Sequence, residues 1–79
     1  MLVPLKVLLE EARREHYCVG AFNVYNFETV SSVLKGADEL NSPVIVAFGE
    51  RYTGYISIDL ISLLVRKLSE KYSIPIVLH

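Results

Sequence analysis

The polar side chains that close the apolar runs of this chain are where chemistry is possible. Asn23 ends the run Cys18 to Phe22, Gly49-Glu50-Arg51 follows Val44 to Phe48, and His79 follows Ile74 to Leu78. An asparagine amide can donate to a phosphate or hydroxyl of a small molecule, or it can bond the backbone of its own loop. Glycine lets backbone amides approach an anion, so Gly49-Glu50-Arg51 has the make-up of a small anion site. The same three residues also suit a plain strand-to-loop turn with a solvated Glu50–Arg51 pair. His79 has the chemistry of a ligand or general base, or of a structural hydrogen-bonding group. Asn26 stands where a helix cap belongs. His16 stands near a helix end, where a cation suits the dipole.

Several chemistries lack their residues. A closed metal site needs three or four convergent His, Cys, Asp or Glu ligands. Two histidines far apart and one cysteine, Cys18, do not supply it. No phosphate-binding Walker loop, dinucleotide glycine fingerprint or Ser/His/Asp arrangement occurs. Glu10-Glu11 and Asp38-Glu39 fall on helix surfaces as solvated faces.

Length and composition narrow the class. Seventy-nine residues make at most one small domain, which buries only about 60% of its unfolded surface. Hydrophobic residues make up 52% of the chain, against about 45–50% in ordinary globular chains, so some surface expects more protein against it. The net charge is −1, with no basic stripe, which disfavours nucleic acid. The longest apolar run, Val44 to Phe48, is far short of the ~18 residues of a membrane span. The N-terminus lacks the pattern of a signal peptide, and the lone cysteine suits a cytoplasmic protein.

The elements that must position these residues alternate. Pro4 to Glu15 reads as a helix, with Leu5, Leu8, Leu9 and Ala12 on one face. Cys18 to Val24 reads as a short strand covered on both faces, in which Gly20 marks close approach. A second helix spans about Phe27 to Leu40, capped by Asn26, with Val30, Val33, Leu34 and Ala37 as its stripe and Asn41-Ser42-Pro43 as its stop. Val44 to Phe48 is a second buried strand. Ser57 caps a third helix, Ile58 to Tyr72, and Ile74 to Leu78 is a third strand. Strands alternating with helices of this length predict an α/β fold with parallel pairing, either an open doubly wound sheet or part of a (β/α)₈ barrel. In a barrel the leading helix would plug the bottom.

Three stretches carry a family resemblance. Tyr17-Cys18-Val19-Gly20-Ala21-Phe22-Asn23-Val24-Tyr25-Asn26 resembles the first strand of class II, zinc-dependent ketose-bisphosphate aldolases, whose pattern is close to A-V-G-x-F-N-x-x-N. Asn41-Ser42-Pro43-Val44-Ile45-Val46 is similar to the second strand of that family. Ile74-Pro75-Ile76-Val77-Leu78-His79 is similar to the third, which in the family runs on as H-L-D-H. The resemblance covers the whole chain. It implies the first part of a (β/α)₈ barrel of about 250 residues or more, with residues 1–79 as the N-terminal portion of a single domain.

The activity the resemblance implies is reversible cleavage of a ketose bisphosphate to dihydroxyacetone phosphate and an aldehyde. In the full-length family zinc polarises the ketone. The aspartate that moves the proton and the first zinc ligand follow the position of His79. This chain is therefore expected to hold no zinc and to be inactive alone. Asn23 matches a substrate-binding asparagine. Gly49 stands where many members carry a phosphate-binding serine, so any contact there would come from the backbone amide, and the particular ketose stays open. The implied partner is a phosphorylated sugar. An uncovered edge of the third strand is expected to promote self-association. A different expectation is a stand-alone or self-associating α/β scaffold without catalysis.

Overall fold

The structure is a computed structural model and describes Met1 to His79. Its elements run α1 (Leu5–Glu15), β1 (Ala21–Asn23), α2 (Phe27–Glu39), β2 (Val44–Ala47), α3 (Ile58–Ser69) and β3 (Ile76–Leu78), with one 3₁₀ turn at Glu50–Tyr52. The three strands form one parallel sheet in the order β1-β2-β3. The predicted alternation and parallel pairing are both present.

Local chemistry sets the helix boundaries. At the start of α2, Asn26 Oδ1 accepts from the Thr29 amide at 2.9 Å and Thr29 Oγ1 accepts from the Asn26 amide at 3.1 Å. This reciprocal box satisfies donors that a helix start leaves free. Ser57 caps α3 by accepting from the Leu60 amide. Helix α2 ends one residue earlier than predicted. Asn41 takes a left-handed φ of 49°, while the Asn41 amide donates to Asp38 and the Ser42 amide to Ala37. That pair of bonds closes a helix end around a left-handed residue. His16 does the same for α1, with φ 59° and the Tyr17 amide donating to the Ala12 carbonyl at 3.0 Å. Its role in the fold is to end the helix.

Strand alternation sorts the core into two sides. Register pairs Val44 with Ile76 and Val46 with Leu78, and these side chains share a face. They pack with Val24, with Val30 and Leu34 of α2, and with Ile61 and Val65 of α3. Both crossover helices therefore cover the same face of consecutively ordered strands, the winding that builds a barrel wall. On the opposite face Ile45 and Val77 meet Leu8 of α1. Helix α1 thus covers the amino-end row of the inner face, as a plug would. Strand β2 is buried on both faces, with Val44, Ile45 and Val46 at 2, 9 and 0% exposure.

Strand β1 departs from expectation. It is shorter than Cys18–Val24, and all three of its residues are exposed. The cause is missing cover on its faces: α1 and α3 lie against β3 at the other edge, whereas β1 packs chiefly on β2. The Phe22 ring lies back over Gly20, where an added Cβ would come within 2.6 Å of it. Beside Phe22 a groove of about 840 Å³ runs along Val33 and Ala37 of α2 and the cap residue Leu40. Helix α3 is also shorter than predicted, ending at Ser69, and β3 starts at Ile76.

Candidate functional site

In parallel α/β structures ligands gather at the carboxyl ends of the strands. Here that end holds Asn23, Tyr25, Gly49 to Tyr52, and His79. Register places Asn23 opposite Ala47. The His79 amide donates to the Val46 carbonyl at 2.8 Å and the His79 carbonyl accepts from the Phe48 amide at 2.9 Å. These bonds carry the ladder one step past Leu78, so Asn23, Ala47 and His79 form one row across three strands. Ile45 and Val77 lie on the same inner face one row below, against Leu8. The upper row is open: Asn23 and His79 are exposed and Ala47 adds only a methyl between them.

Asn23 and Asn26 separate in role. The side-chain bonds at this end of the sheet join Asn26, Thr29 and the Tyr25 amide, and none reaches Asn23. Asn26 is a helix cap. Asn23 keeps its amide turned to solvent, free to donate and accept.

Gly49 closes β2 with φ −81° and ψ 136°, a backbone any residue adopts. An added Cβ would sit 3.6 Å from the Tyr52 ring, an ordinary contact. Neither conformation nor space therefore requires glycine here. The Gly49 carbonyl accepts from the Tyr52 amide at 3.0 Å, which folds the 3₁₀ turn back so that the Tyr52 ring fills the volume a side chain would take. That ring meets Tyr25 edge-on. Glu50 and Arg51 are exposed on the turn, and the ion pairs of the chain lie elsewhere, at Lys6–Glu10 and Lys67–Glu70.

The tyrosine contact was missed in the sequence. No local signal marks it, because the contact depends on the 3₁₀ turn that brings Tyr52 back toward the loop after β1. The groove beside Phe22 lies at the other end of the strands, reaching Pro43 and Pro75, and takes no part in this row. Near it, desolvation and then the Glu11 and Glu15 carboxylates push the Tyr17 phenol up. No three His, Cys, Asp or Glu side chains come together in the chain.

Residues 3–79 match the family described as class-II fructose-bisphosphate aldolase. Among curated relatives, the 6-phospho-5-dehydro-2-deoxy-D-gluconate aldolase of Bacillus velezensis is 41% identical over 80 residues, covering 98% of this chain and 28% of the relative. The fructose-bisphosphate aldolase of Helicobacter pylori strain 26695 is 38% identical, covering 100% of this chain and 26% of the relative. The crystal structure of the YdjI aldolase from Escherichia coli K12 superposes with a TM-score of 0.90 at 32% identity, over 100% of this chain and 30% of that one. The chain belongs to the class II fructose-bisphosphate aldolase family, and its fold is the first part of a (β/α)₈ barrel. It spans under a third of the length of these relatives.

Proposed function

We propose that residues 1–79 form one wall of the substrate site of a zinc-dependent class II aldolase barrel, as part of a single domain. The reaction is reversible cleavage of a phosphorylated keto sugar to dihydroxyacetone phosphate and an aldehyde, in the cytoplasm. One observation carries this: in a chain of that family, Asn23 sits unbonded on an open inner row at the carboxyl ends of the strands. Its amide suits a substrate hydroxyl or phosphate, and the Gly49 backbone borders the same opening. Relatives named for fructose bisphosphate and for a 6-phospho sugar acid share a phosphorylated substrate, which supports that class without choosing a member.

The residues present do not fit zinc, because no three ligating side chains converge. Its ligands would come from other parts of a full-length barrel. The role of this segment is to bind and orient. In a zinc-supplemented assay with fructose 1,6-bisphosphate, the purified 79-residue chain should release no dihydroxyacetone phosphate. Zinc-dependent release would overturn the claim that it is inactive alone.

A second reading is an autonomous α/β scaffold. It is favoured by a closed core between the sheet and helices α2 and α3. A cooperative melt with a concentration-independent monomer would support it, and a molten or aggregating chain would oppose it. No helix is long and apolar enough to cross a membrane.

A further inference from the structure

Asn23 is the last residue of β1, and three consecutive amides follow it before α2 begins. The Val24 amide donates to the Ala47 carbonyl of β2 at 2.9 Å. The next two share one acceptor: the Tyr25 and Asn26 amides donate to Thr29 Oγ1 at 2.8 and 3.1 Å. The Thr29 hydroxyl in turn donates to Asn26 Oδ1 at 2.8 Å, with the Asn26 carbonyl in reach at 3.1 Å. A hydroxyl offers one donor and two acceptor sites. Thr29 uses all three on the chain that leaves β1, and keeps no group for a ligand.

A capping box accounts for only part of this. It needs the amides and side chains of Asn26 and Thr29. The bond from the Tyr25 amide lies outside the box and adds nothing to the first turn of α2. It acts on the residue whose ring meets Tyr52, with centroids 4.6 Å apart, and Tyr52 lies on the turn after β2. Tyr25, Asn26 and Thr29 are half-buried, whereas Asn23 is exposed. One hydroxyl therefore fixes the path from Asn23 into α2 and, through Tyr25, reaches the turn after β2.

We infer that Thr29 is a positioning residue of the substrate wall. Its hydroxyl holds the chain leaving β1, and so aims the Asn23 amide and seats the Tyr25 ring, without touching substrate. The inference rests on the reading of the Asn23 row as that wall.

The test uses a barrel in which this chain replaces the matching segment of the Helicobacter pylori fructose-bisphosphate aldolase, and the 79-residue chain itself by NMR. With zinc supplied, kcat and KM for fructose 1,6-bisphosphate are measured for the parent chimera and four variants. Thr29→Val keeps the shape and deletes the hydroxyl, and Thr29→Ser restores it. Asn26→Ala breaks the capping box and leaves the Tyr25 bond. Asn23→Ala reports on the row itself. Thr29→Val should lower kcat/KM about tenfold or more, and Thr29→Ser should stay within about threefold of the parent. Asn26→Ala should lose less activity than Thr29→Val at a comparable fall in melting temperature. In the 79-residue chain the Tyr25 amide should exchange about tenfold faster in Thr29→Val and not in Thr29→Ser.

A loss in Asn23→Ala beside parent activity in Thr29→Val would overturn this inference alone. Equal losses in Thr29→Val and Asn26→Ala would reduce Thr29 to a helix cap. An active chimera indifferent to both Asn23→Ala and Thr29→Val would overturn the reading of the row, and this inference with it. Where a chimera does not fold, Tyr25 exchange in the 79-residue chain decides: equal protection in parent and Thr29→Val would overturn the inference.

Discussion

Tyr25 and Tyr52 meet edge-on, with ring centroids 4.6 Å apart and planes at 67°. One follows β1 and the other lies on the turn after β2, so their contact ties together the two loops that border the open row. Such pairs contribute about 0.5–1.5 kcal/mol beyond area burial. A double-mutant cycle of Tyr25→Leu and Tyr52→Leu in urea denaturation should give a coupling in that range. Additive effects would separate the two loops. Gly49→Ala should hold or raise stability, by about 0.4–1 kcal/mol, since its φ and the 3.6 Å approach to Tyr52 accept a methyl.

His16 ends α1 in a left-handed conformation at φ 59°. That conformation costs an L-residue about 1–2 kcal/mol, and glycine little. His16→Gly should therefore stabilise the chain by about 1 kcal/mol, less the entropy glycine adds to the unfolded state. Thermal or urea melts decide it. A loss of stability would assign the imidazole a contact beyond its backbone role.

The two asparagines at the head of the sheet should respond differently. Asn26→Ala removes the acceptor of the capping box and should cost about 1 kcal/mol of stability. Asn23→Ala removes an exposed amide that bonds nothing in the chain and should leave the melt within about 0.5 kcal/mol of the parent. A large loss for Asn23→Ala would make that residue structural.

Burial lowers the Met1 amine below its usual value of 8.0. The folded chain binds that proton less tightly than the unfolded chain does. The contribution of this group to stability is present above 8.0 and is lost as pH falls through the lowered folded value. An NMR titration should find the amine titrating lower in the folded chain than in urea. The Nα-acetylated chain should lose this part of the pH dependence.

Much of the architecture was legible because its signals are local. Val44 to Phe48 is continuously apolar, as a strand buried on two faces must be, and Asn26 with a helical stripe after it marks a helix start. The misplaced boundaries have tertiary causes. Cys18 to Phe22 reads as apolar as β2 does, yet β1 is exposed because no helix covers it as α1 and α3 cover β3, which no local pattern records. Asn41 ends α2 through a positive φ, one residue short of the predicted bound, whereas His16 ends α1 the same way at the predicted Glu15. The Leu2–Ile76 bridge was invisible for a different reason: Leu2 and Val3 are too few to read as a strand, and their partner lies more than seventy residues away. Asn23 was found from its place at the end of an apolar run, whereas the Tyr25–Tyr52 contact depends on how the turn at Gly49 folds back.

The most direct measurement of the central claim uses a chimera in which this chain replaces the matching segment of the Helicobacter pylori fructose-bisphosphate aldolase. The account predicts zinc-dependent cleavage of fructose 1,6-bisphosphate by the chimera. It predicts a fall in kcat/KM of at least about tenfold with Asn23→Ala, equivalent to about 1.4 kcal/mol of transition-state stabilisation, at an unchanged melting temperature. An active chimera indifferent to Asn23→Ala would contradict the assignment of this row as a wall of the substrate site.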